Sequence, residues 1–310
     1  MSAAPKRPKT INRLQRLITD WEGDSGLPVR RLNLRVGSMM LAGALARAID
    51  DDGSPVFLTR GGVAMELRVG DKARVTRDVD FVLRGDPSAL IAHLDAAFAE
   101  DFEEFSFERD EPEPLELRPQ VRRVRVKTSF RTKPFMTVIV EVAPVEAGGE
   151  EMEHLPAHDL AAVGLDGPDV IPVLAIPWQI AQKLHAVTEP PLRPDGGNPR
   201  YWDLVDLQIL QAMLSGGLAP VKDACVRTFN TRAQQSWPPR VTTYSDWPAR
   251  YATMARSLDM PVTDLDAAIE IVHDFIQSID DAGRVALARP VQRSKFGPEI
   301  GPETSISEAT

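Results

Sequence analysis

The chain has 310 residues, 43% of them apolar, and a formal net charge of −9. That length and apolar content support one large or two ordinary domains with a real core, and the acidic balance argues against a protein that coats nucleic acid non-specifically. A single cysteine, Cys225, excludes an internal disulfide and a cysteine-clustered metal site; no 18-residue apolar run occurs, and the charged N-terminus lacks a following apolar stretch, so a cytoplasmic protein with no membrane association is expected.

Apolar residues recur at three- and four-residue spacing over 11–21 and 29–49, which predicts two N-terminal helices. Residues 55–58 are a short apolar run of strand type, and Gly61-Gly62 opens a helix to about residue 68. Residues 78–83 alternate polar and apolar before turning wholly apolar, as a central strand with one functional end would. Pro87 starts a helix to about residue 100. Strands follow at 105–107, 121–130 and 136–142, the middle one alternating Arg123, Arg125 and Lys127 with Val124 and Val126. Residues 148–169, rich in Gly, Pro and acids, read as a connection. Helices are then predicted from 177 to 187, about 200 to 214, 219 to 229, 247 to 258 and 263 to 280. The order implies an α/β (α+β) fold, a mixed sheet flanked by helices and followed by a mainly helical region. The expected divisions are N-terminal helices over 1–50, an α/β core over 51–150, a helical C-terminal domain over 151–296, and a disordered tail over 297–310.

Four features carry chemistry. Asp78 and Asp80 stand two apart on the predicted strand and present two carboxylates to one side; such a pair repels unless a cation neutralises it, and Mg²⁺ is commonly held by one or two carboxylates plus substrate phosphates. Gly61 and Gly62 at a helix start can expose backbone N–H groups to an anion. Glu141 interrupts an otherwise apolar strand, a costly place for an acid unless it is paired or metal-bound. Lys183 lies on one later helix, and Asp203 and Asp206 lie one turn apart on the next.

The ordered set Arg60-Gly61-Gly62, Thr76-Arg77-Asp78-Val79-Asp80-Phe81, Glu141, Lys183 and Arg200-Tyr201-Trp202-Asp203-Leu204-Val205-Asp206 resembles the signature of the DNA polymerase β-like nucleotidyltransferase superfamily, in its AbiEii/MenT-type toxin branch. Two departures stand out. Fifteen residues separate Gly62 from Asp78, with Gly70-Asp71 where the branch commonly has Gly-Ser, and Trp202 replaces a frequent lysine. The resemblance implies a type IV toxin that transfers NMP from an NTP to RNA, as MenT toxins do to the 3′ end of tRNA, thereby blocking aminoacylation. It also implies a cognate antitoxin encoded nearby.

On that reading Asp78, Asp80 and Glu141 hold Mg²⁺. Gly61, Gly62, Thr76, Lys183 and Asp206 bind the nucleotide, while Lys183 and Asp203 join the catalytic set. The basic strand residues Arg122, Arg123, Arg125 and Lys127 are candidate RNA contacts, the bland alternative being a solvated hairpin face. Transfer of a nucleotide or phosphate to a protein acceptor, and a non-catalytic nucleotide- or partner-binding module, are the alternatives; the presence of all three acids speaks against the module.

Overall fold

The structure is a computed structural model that describes residues 5–191 and 198–287, with side chains described as far as residue 282. The expected tail over 297–310 lies outside the described residues. Helix α1 (Ile11–Ser25) is capped by Thr10, whose hydroxyl accepts from the Arg13 N–H at 3.3 Å, and α2 (Val29–Leu45) follows. Strand β1 (Phe57–Arg60) passes without a connector into α3 (Gly61–Val69); β2 (Val79–Leu83) and α4 (Leu90–Phe98) come next. Then come β3 (Phe105–Arg109), β4 (Glu113–Leu115), β5 (Arg118–Phe130), β6 (Lys133–Pro144), β7 (Met152–Pro156) and β8 (Val170–Leu174). The chain closes with α5 (Ile176–Thr188), α6 (Trp202–Met213), α7 (Ala219–Arg232), α8 (Trp247–Ser257) and α9 (Leu265–Leu287).

The strands form one mixed sheet in the order β3-β5-β6-β2-β1-β8-β7, with β4 paired to β5. Pairs β2–β6 and β1–β8 are parallel, while β5 and β6 form a long antiparallel hairpin. Strands β4, β7 and β8 are additions to the elements expected from sequence. The segment read as a connection contains β7, and β8 starts immediately after it.

Each strand residue must face one of two cores, and this decides where the polar residues go. Val79, Phe81 and Leu83 of β2 join Val138, Val140 and Val142 of β6 and Val124, Val126 and Phe130 of β5 against α1, α2 and α4. Leu58 and Val82 point the other way, into a second core with Trp178, Ile180, Leu184, Leu204 and Phe229 from the C-terminal helices. Burial of such side chains contributes about 1.5–3 kcal/mol each. The even-numbered residue Asp80 and the odd-numbered Glu141 therefore share the face that looks toward α5 and α6, where the sheet and the C-terminal helices part to leave a cavity.

Candidate active site

Backbone pairing sets four charges in one row across the sheet. Arg60 of β1 is the register partner of Asp80, Asp80 of Glu141 on β6, and Glu141 of Arg123 on β5. Neighbouring strands lie about 4.8 Å apart, so two like charges sit side by side at the centre of the row with an arginine at either end. Glu141 Oε1 accepts from Arg123 Nη2 at 2.5 Å and from Nε at 3.2 Å. Burial pushes the Asp80 carboxyl above its ordinary range against the pull of Arg60, and the charges of Asp78 and Glu141 add to the rise.

Asp78 lies one residue ahead of β2, where Thr76 Oγ1 is 3.1 Å from its carbonyl and 3.2 Å from its Oδ1. The glycine pair closes on the same spot. Gly61 takes φ of +63°, and a Cβ there would stand 2.8 Å from the Asp80 carboxyl carbon; at Gly62 it would stand 2.7 Å from Thr76 Oγ1. No side chain fits between the first turn of α3 and the acids, so the unpaired N–H groups of that turn abut them.

The opposite wall is cationic. Gln179, Gln182, Lys183 and Ala186 recur at helical spacing along the cavity face of α5. Lys183, 6% exposed, donates to Asp203 Oδ1 at 3.1 Å and to Asp206 Oδ2 at 2.6 Å. Arg74 Nε donates to the same Asp206 oxygen at 3.1 Å, and Arg200 Nε lies 2.7 Å from Asp203 Oδ2 in an ion pair not aligned as a hydrogen bond. Three cations thus share two carboxylates, which leaves one positive charge uncompensated within the cluster. Burial alone would raise the Asp206 carboxyl, but Lys183 and Arg74 outweigh it and hold it below its ordinary range. The Arg74 and Arg200 guanidinium carbons lie 5.7 and 5.5 Å from the centre of the Trp202 ring.

Acids and cations meet across one cavity of about 200 Å³. Asp78, Asp80, Glu141, Gly61, Thr76 and Lys183 all line it, so residues far apart in sequence converge there. Asp203 and Asp206 stand behind Lys183. Arg60, which the sequence placed in the glycine motif without a role, and Arg118, which heads the basic run, also line the cavity, as do Arg74 and Arg232, which no sequence feature singled out. Arg118 pairs with Glu189 at 2.6 Å and Arg232 with Glu146 at 2.8 Å, while Arg60 donates to Gln182 at 3.2 Å.

The basic strand divides. Arg123, Arg125 and Lys127 share the face of Glu141, whereas Arg122 lies on the other and donates to the Pro119 carbonyl at 2.9 Å. Lys127 is 3.1 Å from Asp110, and Arg125 is 3.7 Å from it, so the run is matched by acids of its own hairpin neighbours. His185 is buried against Phe229, with Nδ1 3.3 Å from Arg232, and Cys225 is buried in the second core.

Among the described residues no three His, Cys, Asp or Glu side chains converge tightly enough to hold a metal unaided. Two carboxylates with a nucleotide's phosphate oxygens are nonetheless the donor set Mg²⁺ accepts, and a cation there would relieve the charge that Asp80 bears at a cost. Among the described residues, no helix is long and apolar enough to cross a membrane.

Comparison with known proteins gives a family match and a fold match. A search of curated proteins found no match. Among solved structures, the nucleotidyltransferase toxin MenT4 of Mycobacterium tuberculosis H37Rv superposes with a TM-score of 0.52 at 17% identity, covering 90% of this chain and 99% of that one. A nucleotidyltransferase candidate from H. pylori gives 0.42 at 16% identity, covering 84% and 99%. The MenT4 likeness shows a shared fold. The sequence itself matches the family described as "Nucleotidyl transferase AbiEii toxin, Type IV TA system" over residues 43–280, a span that takes in every cavity residue named above. The chain therefore belongs to the AbiEii family of nucleotidyltransferase toxins of type IV toxin–antitoxin systems.

Proposed function

We propose that this toxin, acting in the cytoplasm, transfers a nucleoside monophosphate from an NTP to the 3′ end of RNA, with tRNA as the acceptor, and so blocks aminoacylation and translation. The observation that carries this reading is the division of a single cavity into an acidic wall, Asp78, Asp80 and Glu141, and a cationic wall built on Lys183, Arg74 and Arg200. Phosphoryl transfer asks the protein for position and charge stabilisation more than for a nucleophilic side chain, and this cavity offers both.

Asp78 and Asp80 are the residues that would hold Mg²⁺, with Glu141 beside them once Arg123 yields it. The ion supplies charge neutralisation on the phosphates and a lower pKa for the attacking hydroxyl. Gly61 and Gly62 bring the first turn of α3 to the phosphates, and Thr76 orients Asp78. Lys183 supplies a compact positive charge, and Asp203 and Asp206 fix its Nζ in place. In the reaction the acceptor's 3′ oxygen bonds to the α-phosphorus, the bond from α-phosphorus to the bridging oxygen breaks, and pyrophosphate leaves. As in the family's type IV systems, a cognate antitoxin encoded nearby would counter this activity.

The test is incubation of the full chain with Mg²⁺, each labelled NTP in turn, and total RNA. Label in the tRNA fraction, lost on chelation, is the expected result. Label in the protein fraction alone would sink the RNA acceptor and favour transfer to protein.

A further inference from the structure

Two further cavities share lining residues with the central one, and they differ in chemistry. The first, of about 340 Å³, shares Arg60, Arg118 and Arg232 with it, carries Glu146 and Glu189 as well, and has no aromatic ring among the described residues that line it. The second, of about 740 Å³, is a groove between the α1–α2 turn, residues 71–75 and α8, and it shares Arg74 with the central cavity. Its walls carry Arg31, Arg74 and Arg250, which pair with Glu66, Asp206 and Asp246 in turn, and Asp71, which pairs with Arg35; of the three arginines Arg250 is the most exposed. Val75, 57% exposed, stands at its edge.

Aromatic rings and guanidinium groups connect this groove to the catalytic cavity. The Arg250 guanidinium carbon lies 6.0 Å from the centre of the Tyr201 ring; Tyr201 meets Trp202 edge to face at 5.3 Å, and the Arg74 and Arg200 guanidinium groups lie near the Trp202 ring. Tyr201 lines the groove and Trp202 the central cavity, so the stack runs from one into the other. An unpaired nucleic-acid strand binds where its bases can stack on rings and an exposed arginine can reach its backbone, and Tyr201 with Arg250 offers both at this groove. A base-paired stem offers no free base faces to such a groove.

We infer that this groove is the entry track for the acceptor, binding its single-stranded 3′ end with Tyr201 and Arg250 as positioning residues and delivering the terminal hydroxyl past Trp202 to the acids. The inference rests on the nucleotidyltransfer reading proposed above. It also moves the acceptor away from the basic face of β5.

The experiment compares the full-length wild type with Tyr201→Ala and Arg250→Glu, plus Tyr201→Phe to separate loss of the ring from loss of fold. RNA labelling tests the underlying reading, and the variants test the groove. Tyr201→Ala and Arg250→Glu should raise the KM for RNA by about tenfold or more, with Tyr201→Phe near wild type and the affinity for a non-hydrolysable NTP unchanged in all three. RNA labelling unchanged in both variants, but lost in Arg125→Glu and Lys127→Glu, would overturn the groove and put the acceptor on β5. If the wild type labels only protein, the underlying reading fails. The groove is then decided by binding of a short RNA with an unpaired 3′ end: weakening in Arg250→Glu upholds it, and equal binding to wild type and variant overturns it.

Discussion

Replacing Gly61 by alanine tests how closely α3 must approach the acids. The residue has φ of +63°, and an added Cβ would lie 2.8 Å from the Asp80 carboxyl carbon, nearer still to one of its oxygens. A left-handed backbone costs an L-residue about 1–2 kcal/mol. Driving the Asp80 side chain off its rotamer costs about 0.5–1.5 kcal/mol more. Together these amount to about 1.5–3.5 kcal/mol, a fall in Tm of about 2–5 °C at an unfolding entropy of about 2.1 cal/mol/K per residue. Gly26→Ala is the control, because Gly26 has φ of +70° and nothing within 4 Å of its Cβ position. It carries backbone strain without collision. Thermal melts and RNA labelling of both variants separate the two effects: Gly26→Ala should lose some stability and no activity, whereas Gly61→Ala should lose more stability and about a hundredfold in rate as Asp80 is displaced. Activity of Gly61→Ala within a few-fold of wild type, with a melt like that of Gly26→Ala, would refute the claim that the glycine exists to admit Asp80.

Asp80→Asn should raise Tm while abolishing transfer: the fold holds the Asp80 proton more tightly than the unfolded chain does, so above the ordinary carboxylate range its charge costs stability that asparagine restores; a lower Tm would contradict this. Asp206→Asn should cost about 3–5 kcal/mol in denaturant unfolding, since it leaves Lys183 and Arg74 buried with one carboxylate fewer. For the same reason the Asp206 contribution should be present above the ordinary carboxylate pKa and fade as pH falls through its lowered value in the fold. Burial, with Arg232 and Arg118 nearby, pushes His185 down to about 3, so the unfolded chain takes up a proton below about pH 6.5 that the fold refuses. Stability should therefore decline from pH 7 to pH 5, and His185→Asn should flatten that slope in chemical denaturation.

The acidic wall was legible because strand periodicity alone projects positions 78 and 80 to one side, and because Glu141 stands out in an apolar strand. Lys183 and Asp203 were legible only through ordered motifs, and their contact at 3.1 Å depends on how α5 packs on α6. The edge strands were not legible. Met152–Pro156 is half exposed and shows no clean alternation, and Pro172 within Val170–Leu174 argues locally against a strand that nonetheless pairs with His154. Nor does any local pattern foretell that Arg60, Arg74, Arg118 and Arg232 meet, since each comes from a different element and only the tertiary fold joins them. The basic run of β5 illustrates the converse: conspicuous in sequence as free charge, it lies in the fold beside Glu108, Asp110 and Glu141.

The most direct test of the central claim is Mg²⁺-dependent transfer of labelled NMP to tRNA by wild type and by Asp80→Ala, with Asp78→Ala in parallel and all three shown to be folded. Robust labelling by the wild type and background labelling by both variants is the predicted result. Full activity in Asp80→Ala would contradict the assignment of the acidic row as the centre of the reaction.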